Sequence, residues 1–360
     1  MGGGLHLSSP HFRGATCGLA AAILFGISPP LAKLLLVESS PLLIAGLLYL
    51  GAGLGLRVFE LLSPRQSGNH QREAQIRPSD LWLLAGIVLT GGVLGPVFML
   101  IGLRHLSGVL GSLLLNLEAP FTILLAVVLF GEHLGRRETT GALLIFSAAV
   151  VLSYHPEEMR ADIPGLLAMV AACFSWAIDN NLTQRLSIRD PIVVTRIKTL
   201  TAGTCTLSLA LIAGQSLPRT SILLSILAVG VMSYGVSLVL DIYALRLLGA
   251  AREAGYFATA PFMGAVAAVP ILGERWGPHE FLASALMASG VFLLLREHHS
   301  HAHAHRELVH DHAHAHGDHH QHAHDEGMLP VEPHAHIHRH LPLIHDHPHV
   351  PEVHHRHEHE

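Results

Sequence analysis

The chain has 360 residues, half of them hydrophobic and 14% charged, with a mean hydropathy of +0.43 and a formal net charge of −5. Soluble domains do not sustain repeated apolar runs of about 20 residues, the length that crosses a bilayer as helix. A soluble globular class is therefore excluded, nucleic-acid binding has no support, and Cys17, Cys173 and Cys205, all inside apolar runs, do not suggest a disulfide or a CxxC metal site.

Taken in chain order, the apolar runs predict spanning helices over about 14–36, 40–62, 80–103, 106–131, 137–154, 162–185, 191–213, 220–246, 249–273 and 278–296. The first run is followed by no convincing cleavage site, so it reads as a retained helix rather than a signal peptide. Within it, Pro29-Pro30 predicts a kink or break at mid-membrane depth. The fourth and ninth runs carry Pro120 and Pro261, tolerated where neighbouring helices and waters satisfy the freed carbonyls.

Arginines near the run ends give a direction. With the amino terminus inside, thirteen fall on the cytoplasmic side (Arg13, Arg57, Arg65, Arg72, Arg77, Arg136, Arg137, Arg185, Arg189, Arg196, Arg246, Arg252 and Arg296). Four fall outside (Arg104, Arg160, Arg219 and Arg275). Both termini are then expected in the cytoplasm.

The runs also repeat. Glu118-Ala-Pro-Phe121 leads to Gly131-Glu132, and Thr259-Ala-Pro-Phe262 leads to Gly273-Glu274. Residues 14–33 match 165–184 without a gap, with Phe25-Gly-Ile on Trp176-Ala-Ile and Leu31 on Leu182. Duplicated hydrophobic segments build many transporters, with the substrate site between the halves. On Phe25-Gly-Ile with Lys33, Pro120-Phe121 through Gly131-Glu132, and their second copies, the chain resembles the drug/metabolite transporter superfamily in its ten-helix form of two EamA-type repeats. That resemblance implies a secondary transporter, often an exporter of small metabolites, with a central cavity between the halves. The repeats also differ: Lys33 meets Gln184, and Ser28-Pro29-Pro30 meets Asp179-Asn180-Asn181.

Charged residues inside apolar helices usually pair or face water. Lysine occurs only twice, at Lys33 and Lys198, and buried lysine has a tunable pKa that arginine lacks. Lys33 reads either as a side chain snorkelling from the outer end of its helix or as a cavity group; Lys198, deeper in its run, reads as a cavity or ion-pair group. The acids of similar standing are Glu118, Asp179 and Asp241. Asp179, Asn180 and Asn181 fan around one helix, so at least one points inward. Asp179 or Glu118 is expected to neutralise Lys198 or Lys33, either as a static bridge or with one acid taking a coupling proton. Glu132 and Glu274 are expected to cap the next helix or pair with Arg136 or Arg275, and Arg252-Glu253 to form an interfacial charge pair.

From His298 onward the composition changes, with 24 histidines in 63 residues. Such tracts are metal-binding by composition, suited to zinc, nickel or cobalt. The densest donors are His301, His303, His305, His310, His312, His314, His316, His319, His320, His322 and His324. Few apolar residues and several prolines argue for a disordered tail without metal. Protonation near pH 6.5 would turn it cationic, so a pH sensor competes with a metal sensor.

The expectation is an all-α integral membrane protein of ten transmembrane helices, as two inverted five-helix EamA-type repeats, plus a disordered C-terminal tail. Its parts are a cytoplasmic N-terminus (1–13), repeats at 14–154 and 155–296, and a His-rich tail at 297–360. It would sit in the cell membrane and export a small metabolite or xenobiotic, with lipid, small molecule and divalent metal as partners, a homodimer among its permitted arrangements, and no cofactor required. Divalent-metal efflux and a membrane-tethered metal buffer or sensor are the alternatives. His279-Glu280 lacks the second histidine of a zinc-protease motif, and no phosphate-binding lysine loop occurs, so neither an enzyme nor ATP drive is expected.

Overall fold

The computed structural model describes residues 10–62, 76–130, 135–153, 159–186, 189–248, 250–295 and four tail segments. Its helical runs are α1 (10–35), α2 (41–62), α3 (78–105), α4 (108–130), α5 (136–153), α6 (159–185), α7 (191–212), α8 (220–248), α9 (250–272) and α10 (278–295). They fall within a few residues of the hydropathy runs. The first starts at Pro10, four residues ahead of the expected boundary, because Pro10 can open a helix without needing an amide partner.

Eight of the helices are long and apolar enough to cross a membrane. The two left out are α5, which opens with Arg136, Arg137 and Glu138, and α7, which carries Arg196, Lys198 and many hydroxyl side chains.

Irregularities occur at matching places in the two halves. In α3 the stretch Val88–Leu94 is π-helical, and in α8 so is Gly230–Val236. Ahead of Pro120, α4 tightens to a 3-10 turn at Leu115–Leu117; ahead of Pro261, α9 breaks at 258–259. The cause is shared: each proline withholds the amide owed to the carbonyl four residues earlier. Pro29 and Pro30 do the same in α1, which breaks at Ile27 between Pro10–Gly26 and Ser28–Leu35.

Packing respects the duplication. α1 lies along α8 and α9, and α6 lies along α3 and α4; α2 packs on α7, α5 on α10, and the first part of α4 on the second part of α9. Exchanging the halves turns each of these pairings but the last into another or into itself. At the α5–α10 crossing a Cβ on Gly141 would lie 2.8 Å from the Gly290 carbonyl, and one on Gly290 2.7 Å from the Gly141 carbonyl. Ion pairs obey the same exchange. Glu38, after α1, meets Arg219, before α8, at 2.8 Å; Arg189, after α6, meets Asp80, at the start of α3, also at 2.8 Å. The exposed Glu38 carboxylate raises the guanidinium pKa of Arg219 further above its ordinary value.

The main core is an apolar cluster built from both halves, including Leu43, Ile44, Leu48, Met99, Leu103, Leu113, Ile145 and Met169, and a smaller cluster gathers Leu84, Ile87, Leu186 and Val194.

In the tail, β1 (His299–His305) pairs antiparallel with β4 (Leu343–His349), and β2 (Leu308–His314) with β3 (His334–His340). The described parts of the tail are thus paired strands where composition argued for disorder. The alternation of histidine with small or apolar residues has the period of two that strands require.

Candidate functional site

The expected charged residues do not all converge. Those that do lie where α6 passes the π-helical stretch of α3. Asp179 on α6, itself buried, forms an ion pair with Lys198 on α7. One residue on, Asn180 donates to Glu118 Oε1 at 2.7 Å, and Asn181 donates to the Thr122 carbonyl at 3.1 Å, both on α4. The three consecutive polar side chains of α6 therefore face α7 and α4, held by successive 100° turns of one helix. Of the pairings expected for the two lysines, Asp179 with Lys198 forms.

The floor of this site is backbone. A Cβ on Gly91 would lie 2.1 Å from the Asp179 carboxylate, and one on Gly95 would lie 2.5 Å from Trp176 Nε1. Only glycine lets α3 approach α6 so closely. In the π register the Gly95 amide reaches back to Thr90. The next amide would serve Gly91, but that position is Pro96 and carries none. The freed Gly91 carbonyl accepts instead from Tyr49 Oη at 2.8 Å and Trp176 Nε1 at 3.2 Å. In the sequence, a proline five positions after Gly91 is the signal for an orphaned carbonyl.

Tyr49 joins the two halves. Its ring lies 5.7 Å from that of Tyr234, in the π-helical stretch of α8. Tyr234 accepts from Ser28 at 3.1 Å and stacks edge-on against Phe25 at 5.5 Å. Both π-helical stretches, both broken helices and the buried ion pair thus form one contiguous centre.

Lys33 lies elsewhere. Its ammonium donates to the Leu103 carbonyl at 2.8 Å and to that of Leu106, capping the C-terminal end of α3. Glu274 accepts from the Gly108 and Val109 amides at 2.6 and 2.8 Å. It therefore caps α4 of the other repeat, not the helix that follows it. Glu132 lies outside the described residues. Asp241, on α8, has its Oδ1 buried without a hydrogen-bond partner, and the Arg252 side chain expected to pair with Glu253 lies outside the described residues.

A groove of about 880 Å³, lined by Ile23, Met263, Val266 and Phe281 and edged by Glu274, shares no lining residue with the ion-pair centre. Among the described residues no group of three or more His, Cys, Asp or Glu could hold a metal. His301, His303, His305, His310, His312 and His314 fall on strands, while His316, His319, His320, His322 and His324 lie outside the described residues.

Two five-helix blocks, internally matched and packed by exchangeable contacts, define a duplicated membrane transporter. The EamA-like transporter family matches residues 12–154 and again 163–296, so the chain belongs to that family. An uncharacterized transporter of Methanothermobacter thermautotrophicus is 32% identical over 291 residues, covering 77% of this chain and 84% of that protein. A probable amino-acid metabolite efflux pump of Escherichia coli K12 is 24% identical, over 76% of this chain and 92% of its own length. A solved crystal structure, 20% identical, shares the fold with a TM-score of 0.57 over 79% of this chain and 99% of its own. The family and the two relatives are transporters, not enzymes, in agreement with the sequence reading.

Proposed function

We propose that this chain is a secondary exporter of small zwitterionic metabolites, working by alternating access between two inverted five-helix repeats. The observation that carries the reading is the Asp179–Lys198 pair, with Glu118 and Asn180 beside it, at the junction of the halves. An amino-acid-like solute carries a carboxylate that can take Lys198 and an ammonium that can take Asp179. Exchanging an internal ion pair for two ion pairs to substrate leaves no buried charge uncompensated, which is otherwise the dominant cost at this depth. The relative described as a probable amino-acid metabolite efflux pump supports the same class.

In this reading all ten helices span the cell membrane, α5 packed on α10 and α7 on α2, and the arginine bias puts both termini in the cytoplasm. Five helices per repeat, an odd number, turn the second repeat over relative to the first.

The test is efflux of isotopically labelled amino acids, one at a time, from cells or vesicles containing the full chain. Export of at least one, reduced about tenfold or more by Asp179→Asn and by Lys198→Gln with membrane abundance unchanged, is expected. Export unaffected by both variants would move the substrate site away from this pair.

The tail is proposed to bind zinc, nickel or cobalt. The strand register supports this by setting histidine opposite histidine at 301↔347, 303↔345, 310↔338 and 312↔336. Facing Cβ atoms in antiparallel pairs are about 5 Å apart, within the span of two imidazoles on one ion. Element-by-element cellular metal content with the full chain and with a chain ending after Glu297 checks it. Metal accumulation that needs the tail is the expected result. Depletion of one metal by both chains would instead make metal the cargo.

A further inference from the structure

Away from the central ion pair, the groove beside α1 has an apolar length and a charged end. Ile23 and Ile27 of α1 line it together with Met263, Val266 and Val269 of α9 and Phe281 of α10. Met263 to Val269 is about 9 Å of helix rise. Val266 is 58% exposed and Phe281 62%, so the groove opens away from the helix bundle, which in a membrane-spanning chain is toward lipid. Apart from its rim it presents no polar side chain, which does not suit the zwitterionic solute assigned to the Asp179–Lys198 pair.

The rim is the connection between α9 and α10. Both helices are apolar enough to span, one ending at Leu272 and the other starting at Pro278, so only residues 273–277 lie between them. Non-helical backbone does not face hydrocarbon, which puts this short connection at headgroup level. Gly273, at φ 70°, ends α9 in the left-handed conformation. Trp276 then folds back, its Nε1 donating to the Ala265 carbonyl at 3.3 Å and its ring 5.1 Å from that of Phe281. Tryptophan is a common anchor at this depth. Both carboxylates nearby are engaged by backbone: Glu274 accepts from the Gly108 and Val109 amides, and Glu280 from the Gly277 amide at 2.8 Å. Arg275 is exposed at the groove's end and, among the described residues, has no carboxylate within ion-pair distance. Its expected pairing with Glu274 is replaced by the Glu274 cap.

We propose that this groove is a binding site for one anionic phospholipid, with its phosphate on Arg275 and an acyl chain laid between α1 and α9. This rests on the chain spanning a membrane and not on which metabolite it exports. A guanidinium presents a planar fork of N–H donors that matches two oxygens of a phosphate. A cation at headgroup level over an apolar trough is complementary to a lipid, whose anion and chain are joined in that order. An anionic head suits the rim better than a zwitterionic one, because the two carboxylates that could receive an ammonium already hold amides. The volume of about 880 Å³ lies within the range of small-molecule sites.

The experiment needs no knowledge of the substrate. The full-length protein is reconstituted in phosphatidylcholine nanodiscs containing a little phosphatidylglycerol with a photoreactive acyl chain. A parallel set carries the photoreactive chain on phosphatidylcholine instead. After irradiation, labelled peptides are mapped by mass spectrometry. Labelling of residues 23–27 and 263–270 by phosphatidylglycerol, well above that by phosphatidylcholine, is expected. It should fall about fivefold in Arg275→Gln, the weight of one basic side chain at an anionic surface, and persist in Arg275→Lys. Ala267→Trp, which fills the groove and keeps the charge, should abolish it. Size-exclusion elution matching the unmodified protein certifies the fold of each variant. Equal labelling by the two lipids, unchanged in Arg275→Gln, would mean that bulk lipid merely bathes the groove and would overturn the proposal. Native mass spectrometry of the same protein should show one retained phosphatidylglycerol per chain. A dimer retaining none would put a second copy in the groove and overturn the proposal too. Because no readout involves a metabolite, either outcome leaves the amino-acid efflux test to stand or fall separately.

Discussion

The α3–α4 hairpin of the first repeat and the α8–α9 hairpin of the second are built alike and held differently. Each has a π-helical stretch in its first helix and a distortion just before the proline of its second. In the first, residues 108–117 are buried without exception, and the tip is gripped from both sides by Lys33 on the α3 carbonyls and Glu274 on the α4 amides. In the second, residues 253–259 are half-buried or exposed. On the alternating-access reading proposed above, the two hairpins are the two gates, and the side-chain differences decide which is shut. The closed tip needs cations and anions placed against helix ends, where unsatisfied carbonyls and amides concentrate charge. The other tip has Gln184 at the position of Lys33. On the same reading, conformational cycling would exchange which hairpin is gripped.

The sharpest way to break the comparison is at the π-helical glycines. Gly91→Ala places a methyl 2.1 Å from the Asp179 carboxylate, whereas at Gly235 of the second stretch the nearest atom is 3.4 Å away. Overpacking costs about 1–3 kcal/mol, and displacing Asp179 from Lys198 adds a disrupted buried pair, about 3–5 kcal/mol when fully broken. Gly91→Ala is therefore expected to lower the thermal unfolding temperature severely or abolish folded expression. Gly235→Ala should leave it nearly unchanged. Equal effects would mean that the two stretches are packed alike and that the ion pair tolerates displacement.

A smaller effect is expected at the tip. Glu274→Gln retains one carbonyl oxygen but turns an amide group toward the Gly108 and Val109 N–H donors, so one of two charge-assisted bonds is lost. Bonds of that kind contribute about 1.5–3 kcal/mol. Hydrogen exchange at residues 108–112 should speed up about tenfold or more, with residues 253–257 unaffected. A uniform rise across both hairpins would show general destabilisation instead of an opened tip.

How much of this the sequence disclosed depends on whether the information was local. The helices were legible because apolar run length is a property of consecutive residues, and the boundaries moved by only a few positions. Asp179, Glu118 and Lys198 stood out because charge in an apolar run is costly, and cost is visible without a fold. The partners were not legible. That Asp179 would choose Lys198 over Lys33 depends on α6 meeting α7 across the π-helical glycines. Glu274 was read against its own neighbours, Arg275 and the following helix, because a contact with residues 165 and 166 positions away leaves no spacing signal.

Lys33 offers the most delicate test of the two-gate comparison, because the substitution Lys33→Gln writes the second repeat's residue into the first. The glutamine amide can still donate to the Leu103 or Leu106 carbonyl, so the cap is weakened and not removed. What is lost is the positive charge at a helix C-terminus, about 0.3–1 kcal/mol at a surface and up to about 2 kcal/mol where partly buried. A change of that size shifts a two-state balance by a few-fold up to about thirtyfold without unfolding either state. The expected result is faster exchange at residues 103–110 together with slower exchange at 253–257, as the population moves from one gripped hairpin to the other. Faster exchange at the first hairpin with no compensating change at the second would mean that Lys33 only caps a helix. Opposed changes of similar size would mean that the two tips are coupled through the centre where Tyr49 bridges Gly91 and Tyr234.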